Sequence, residues 1–164
     1  MTTAWRPMVP ADLDRVVEIA AIGFPDHFEG RDCFENRLSL WPQGCFVLAS
    51  PEAVEAYLVA YPWRIGTAPA LNALIPEIPV DATVLYLHDL ALSPVVRGQG
   101  WSRPAVEAVL ELARAGGWST LALVAVNDAV DFWRGHGFAV CEAPELARKL
   151  ASYGPDARYM TRAV

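Results

Sequence analysis

Cysteine is scarce in this chain, and concentrated positive charge is missing. Cys33, Cys45 and Cys141 are odd in number and show no CxxC spacing, which excludes a disulfide framework, offers no zinc site and makes a reducing, cytoplasmic setting the expectation. No run of Lys or Arg occurs and the formal net charge is -6, so nothing draws the chain to phosphate backbones or anionic lipid; neither nucleic acid nor membrane is an expected partner. No apolar stretch approaches the ~20 residues needed to cross a bilayer, and the opening MTTAWRPMVPADLD lacks the apolar centre of a secretory signal. Internal repeats and low-complexity tracts are absent. No His, Asp or Glu grouping has metal-ligand spacing, so no metal is expected.

What is present suffices for one core. At 164 residues, 54% hydrophobic and 20% charged, residues 1–164 read as a single domain that folds without staples. AWRPMV (4–9) is a strand candidate. Leu13, Val16, Val17 and Ala20 fall at i, i+3, i+4 and i+7, one helix face, which Gly23 and Pro25 close. GRDCFENRLSLW (30–41) reads as a second helix, and CFVLA (45–49) with VEAYLVAYPW (54–63) as a hairpin. Residues 64–82 carry Pro69, Pro76 and Pro79 without a steady period; such long connections in compact domains are usually functional or mobile. TVLYLHDLAL (83–92) is nearly continuous in apolar residues, as a central strand covered on both faces should be. Val106, Val109, Leu110 and Ala113 mark a helix beginning at Ser102 and closed by Gly116 and Gly117. STLALVAV (119–126) is a further buried strand, NDAVDFWRGHG (127–137) a short helix and FAVCE (138–142) a strand. ARYMTRAV (157–164) reads as a last strand at a sheet edge.

Chemistry concentrates in RGQGWSRP (97–104). A strand, a glycine-bearing turn and a helix leave several N–H groups outward at a helix N-terminus, where the dipole adds about half a positive charge, an arrangement that binds phosphate; an ordinary tight strand-to-helix turn is the structural alternative. Gly98 and Gly100 let backbone approach an anion, Arg97 supplies charge, and Pro104 loses nothing in a first turn. The stretch is neither GxxxxGK[ST] nor a dinucleotide fingerprint, because Arg103 stands where the latter needs Gly or Ala.

LALSPVVRGQGWS (90–102) resembles the acetyl-CoA signature of the GNAT superfamily of N-acetyltransferases, with Arg97, Gly98, Gln99 and Gly100 at its R-G-x-G core. Ser102 replaces the usual final Gly or Ala, and Trp101 an aliphatic residue. NDAVDFWRGHGF (127–138) is similar to the family's next motif through Phe132, Trp133, Gly137 and Phe138. The resemblance implies an α/β (α+β) fold: a GNAT-like mixed central sheet of six to seven strands, splayed central strands and helices on both faces. It implies acetyl-CoA as co-substrate, its arm held by the main chain of Leu90, Ala91 and Leu92, with the Leu90 N–H at the thioester carbonyl. The amides of Arg97, Gly98, Gln99, Gly100, Trp101 and Ser102 would take the pyrophosphate, and Asn127 and Phe132 would flank the arm.

A neutral amine must attack, so a base is required. By the two-residue period Tyr86, His88, Leu90 and Leu92 share a face. His88, an imidazole of ordinary pKa ~6.5, is the expected base with Tyr86 assisting; a satisfied core histidine is the structural alternative. Asp89, on the opposite face, is the rival. Trp133 cannot protonate the departing thiolate as the family's tyrosine does, which leaves water, Tyr153, Tyr159 or Ser93. His27 and His136 read as surface or packing residues, and Cys45 and Cys141 as inert. The expected activity is transfer of acetyl to a primary amine of a small molecule or peptide by direct attack. Phe24, Phe28, Tyr61 and Trp63 on the acceptor-side loops give a mild lean to apolar or aromatic amines. A non-catalytic acyl-CoA sensor is the alternative, an interaction protein without ligand a third, and a homodimer stays open.

Overall fold

The computed structural model describes residues 2–164. β1 (Ala4–Pro7) leads through a 3-10 turn into α1 (Leu13–Gly23) and then α2 (Arg31–Leu40). Next come β2 (Cys45–Ala49), β3 (Val54–Trp63) and β4 (Val84–Leu92), then α3 (Ser102–Gly116), β5 (Thr120–Ala125), α4 (Val130–Arg134), β6 (Ala139–Val140), α5 (Ala147–Tyr153) and β7 (Arg158–Ala163). The seven strands form one sheet in the order β1-β2-β3-β4-β5-β7-β6, antiparallel except for the β4–β5 pair. No helix among the described residues is long and apolar enough to cross a membrane.

α3 forms where the periodicity requires, burying Ala105, Val106, Val109, Leu110 and Ala113 and ending on Gly117 at φ 79°, a left-handed cap that favours glycine. Val106, Val109 and Leu110 alone contribute roughly 5–8 kcal/mol of apolar burial before entropy. They pack with Leu58, Leu85, Leu87, Leu90, Leu121 and Leu123 on one sheet face. α1 buries Leu13, Val16, Ile19 and Ala20 on the other face, against Val47, Tyr57, Val59 and Ala91. The connection 64–82 and α5 cover the rest of that face, where Ala68, Ile75, Leu146 and Tyr153 meet Tyr61, Val84 and Tyr86.

Two expectations change. β7 is not an edge: it lies between β5 and β6, pairing with β5 from Thr120↔Ala163 to Ala125↔Arg158, and β6 is the short outer strand. Strand order depends on which faces the crossovers bury, which no local pattern in 157–164 carries. α5 is an added helix; Leu146, Leu150 and Tyr153 stand at helical spacing behind Pro144.

The site is made by two irregularities in β4. Its parallel pairing with β5 covers only Leu85↔Leu121 and Tyr86↔Ala122, so the strands part beyond Tyr86. The register with β3 shifts between Val59 and Ala60, which face Asp89 and Leu87, so His88 has no partner opposite it. A bulge of this kind inverts the alternation that follows. Leu90 and Leu92 therefore join Leu85 and Leu87 on the α3 face, not the face of Tyr86 and His88. Asp89 is correspondingly brought to the α1 side, where its carboxylate meets the Tyr57 hydroxyl, so it does not point away from His88's face as strict alternation requires.

Candidate active site

Beyond the splay, a groove of about 460 Å3 is lined by Gly23, Phe24, Leu90, Ala91, Leu92, Arg97, Gly98, Gly100, Trp101, Ser102 and Phe132. Gly98 and Gly100 adopt φ 75° and 83°, and a Cβ at either would meet nothing within 4 Å, so their surroundings are open. Among the described residues no amide from Arg97 to Ser102 has an acceptor within the chain. Unpaired donors at a helix start, with open space before them, fit a diphosphate. Neither replacement residue blocks the loop. Trp101 packs against Leu48, Ala56 and Val96 and its carbonyl accepts Trp5 Nε1–H at 3.0 Å, while the Ser102 hydroxyl is 3.0 Å from His136 Nε2. Arg97 Nε donates to the Leu92 carbonyl at 2.9 Å and Gln99 Nε2 to the Val95 carbonyl at 3.1 Å. Gln99 thus braces the loop from outside the groove.

Phe24, Leu90 and Phe132 also line a second chamber of about 140 Å3 reaching His27, Glu29, Leu71, Tyr86, His88, Val126, Ala129, Trp133 and Tyr153. Asn127 is exposed with φ 55° and lines neither cavity; its place is the left-handed turn that follows β5, which Asn tolerates. Within the chamber His88 Nε2 lies 2.6 Å from Glu29 Oε1 and its Nδ1 2.9 Å from the Tyr61 hydroxyl. A carboxylate only accepts, so neutral His88 carries its proton on Nε2, donates it to Glu29 and receives the Tyr61 O–H at Nδ1. Burial alone would raise the Glu29 pKa; the charge and hydrogen bond of His88, the charge of Arg37 and the Asn72 amide outweigh it and hold the carboxyl below its ordinary value. Tyr61 is fully buried, so a proton entering from the chamber meets the Glu29 oxygens before Nδ1. The pair, not His88 alone, faces the cavity.

Arg37 stands behind this pair. It is 2% exposed, its NH1 donates to the Ala73 carbonyl at 2.6 Å, and its guanidinium carbon lies 5.6 Å from the Tyr61 ring centre. Tyr86 lines the chamber, and burial raises its pKa well above the ordinary phenol value, so it remains a donor. Of the hydroxyls that could replace the proton donor missing at Trp133, Ser93 donates to Glu55 at 2.5 Å and Tyr159 to no chamber group, its oxygen accepting the Gly66 amide at 2.8 Å. Tyr153 does line the chamber, with its O–H on the Pro69 carbonyl. Trp133 packs edge-on against Phe132 and Phe138. His27 is a chamber wall residue, donating Nε2–H to the Tyr153 carbonyl at 2.5 Å.

Asp89 also lines the chamber, but its carboxylate is engaged by the Tyr57 hydroxyl at 2.5 Å. Burial pushes its pKa up to about 7, opposed by the His88 charge, the Tyr57 hydroxyl and the Leu90 amide. A folded value above the ordinary 3.8 means that its stabilising contribution is complete near pH 4 and is lost as pH climbs to about 7. Asp89→Asn keeps an acceptor for Tyr57 and cannot ionise. The wild-type melting temperature should drop relative to this variant by on the order of 10 °C between pH 4 and 7, read by thermal melts across that range; parallel curves would show that the carboxyl does not titrate there.

Glu29 and Arg37 are site residues the sequence motifs did not reveal, and Tyr61, read as an acceptor-side aromatic, is instead the buried hydroxyl on His88 Nδ1. Glu29 stands 59 positions from His88, and an isolated acid in a loop carries no signal; its only mark is that it is 8% exposed once folded.

The sequence profile of the acetyltransferase (GNAT) family matches residues 13–138. No curated protein matches the sequence. Among solved structures, Ard1 from Thermoplasma volcanium is 18% identical over 100% of this chain and 99% of its own, with a TM-score of 0.76. The GphF GNAT-like decarboxylase in complex with isobutyryl-CoA is 19% identical over 98% of each chain, TM-score 0.78. N-acetylglutamate synthase from Neisseria gonorrhoeae, complexed with coenzyme A and N-acetyl-glutamate, is 16% identical over 99% of this chain and 35% of that one, TM-score 0.70. With the family profile covering most of its length, and with the splayed strands and open amide loop in place, this chain belongs to the GNAT family of acetyltransferases.

Proposed function

We propose that the protein is an acetyl-CoA-dependent N-acetyltransferase that acylates a primary amine by direct attack. The observation that carries this is the continuity of two cavities: the groove with free amides at 97–102 and the chamber holding the Glu29–His88 pair share Phe24, Leu90 and Phe132. Complexes of coenzyme A or an acyl-CoA with GphF and with the Neisseria synthase support the choice of donor. The amides of the loop hold the diphosphate, the main chain of Leu90 to Leu92 directs the arm along the parted strand, and the thioester lies at the bulge. Acetyl-CoA supplies the activated acyl carbon. The Glu29–His88 pair accepts the amine proton as one unit, and Tyr86 or water returns a proton to the thiolate. Among the described residues no base-sharing nucleophile of the Ser–His or Cys–His kind lines the chamber, and Cys45, the best-buried thiol, is pushed up to about 12 by burial.

Decarboxylation, the activity of the GNAT-like GphF, suits this chamber less well, because an acyl carboxylate would approach the ionised Glu29 without a cation to meet it.

Acetyl-CoA at a hundred times its Kd should stabilise the protein by about 2.7 kcal/mol, roughly 5–10 °C in melting temperature, and release thiol when an amine panel is added. Stabilisation without thiol release from any amine supports a sensor instead; no stabilisation defeats both readings.

A further inference from the structure

The chamber that holds Glu29 and His88 is electron-rich and has no cation in its wall. Among the described residues that line it there is neither lysine nor arginine. Its polar groups are the carboxyls of Glu29 and Asp89, the two imidazoles and the tyrosines 86 and 153; the rest are Phe24, Leu71, Leu90, Phe132 and other apolar side chains. The nearest guanidinium, Arg37, lies behind the Tyr61 ring and is 2% exposed, so it cannot reach a ligand. The arginines of the acceptor-side loops are occupied elsewhere, Arg31 with Asp14 and Arg64 with Asp81. Next to Glu29 the exposed side chain is Phe28, and Leu74 stands out from the connection that Asn72 ties to Gly30.

We propose that the acceptor is a primary amine on an apolar or aromatic body whose amine-bearing carbon carries no carboxylate, so that amines are substrates and the corresponding free α-amino acids are not. This rests on the acetyltransferase reading above. In the form able to take a proton, His88 is neutral, and the charge of Glu29 is met only from behind by Arg37 and by the Asn72 amide, with no cation in the chamber wall. An alkylammonium arriving there is attracted by that charge. An α-carboxylate sits within about 3 Å of the amine nitrogen, and so about 5 Å from the Glu29 oxygens; at an effective dielectric near 20 a like charge at that distance weakens binding by on the order of a hundredfold. Burying it without a cation or donors adds to the penalty. The body of the acceptor, by contrast, gains from the apolar and aromatic walls formed by Phe24, Leu71, Leu90 and Phe132.

Two matched pairs that differ only in the carboxylate test this: 2-phenylethylamine against phenylalanine, and isoamylamine against leucine. Thiol release from acetyl-CoA is measured with the full-length protein, each acceptor's kcat/KM being corrected to its neutral-amine fraction. Each amine should exceed its amino acid by at least about thirtyfold, and phenylalanine amide, in which the charge is gone, should fall with the amines. A ratio below about tenfold in both pairs, or a preference for the amino acids, overturns the carboxylate exclusion while leaving the acetyltransferase reading intact. Release with none of the five, although acetyl-CoA still raises the melting temperature, overturns the acetyltransferase reading and this inference with it.

Discussion

Gly100→Val is expected to raise the KM for acetyl-CoA about a hundredfold or more while the protein remains folded. Gly100 sits at φ 83°, and a Cβ there would have no atom within 4 Å, so valine costs backbone strain of about 1–2 kcal/mol but no clash. That loss corresponds to roughly 3–8 °C in a domain of this size. Binding suffers more, since the isopropyl group occupies the approach to the amides of 97–102, and two charge-assisted hydrogen bonds amount to about 3 kcal/mol. Gly117 provides the control. It too has positive φ, 79°, and open surroundings, but it caps the far end of α3. Gly117→Val should lose similar stability and leave the KM within about threefold. Equal KM effects of the two variants, or a Gly100→Val enzyme with an unchanged KM, would mean that the loop does not hold the diphosphate.

That loop is readable from sequence because everything it needs is local: two glycines free to take positive φ, a helix start and an arginine within a few residues. α3, β3 and β4 are readable for the same reason, their periodicity being written in consecutive residues. What escapes is non-local. The bulge at His88 is a shift in the register between β3 and β4, and no alternation within TVLYLHDLAL reveals it, although it decides that Leu90 and Leu92 face α3 and that Asp89 reaches Tyr57. Glu29 escapes because its meaning comes from contact with His88 across 59 positions. β7 escapes as an interior strand since its neighbours on both sides, β5 and β6, precede it in the chain. His27 reads only as a surface or packing residue because its place in the chamber wall depends on α5 bringing the Tyr153 carbonyl to it.

The chemical step offers the sharpest test of whether Glu29 and His88 form one device. His88→Ala should lower kcat by about 10²–10⁴-fold, the range for loss of a positioned base, and should flatten the acidic limb of the pH–rate profile; an unaltered limb excludes the role. Glu29→Gln should cost about a hundredfold, because it removes the oxygen that meets the incoming proton and the acceptor that fixes the Nε2 proton of His88. The informative comparison is the double variant. If the two residues pass a single proton, the second substitution finds nothing left to remove, and the double variant should be no slower than the worse single one. If their losses multiply, reaching about 10⁴-fold or beyond, each acts independently and the shared-proton account fails. The KM for acetyl-CoA should stay within about threefold throughout, as neither side chain lines the groove that carries the free amides. Asp89→Asn supplies the counterpart on the same bulge: its carboxylate is committed to Tyr57 at 2.5 Å, so kcat should remain within about threefold of wild type. A loss comparable to that of His88→Ala would transfer the base to Asp89, and with it the direction from which the amine must enter.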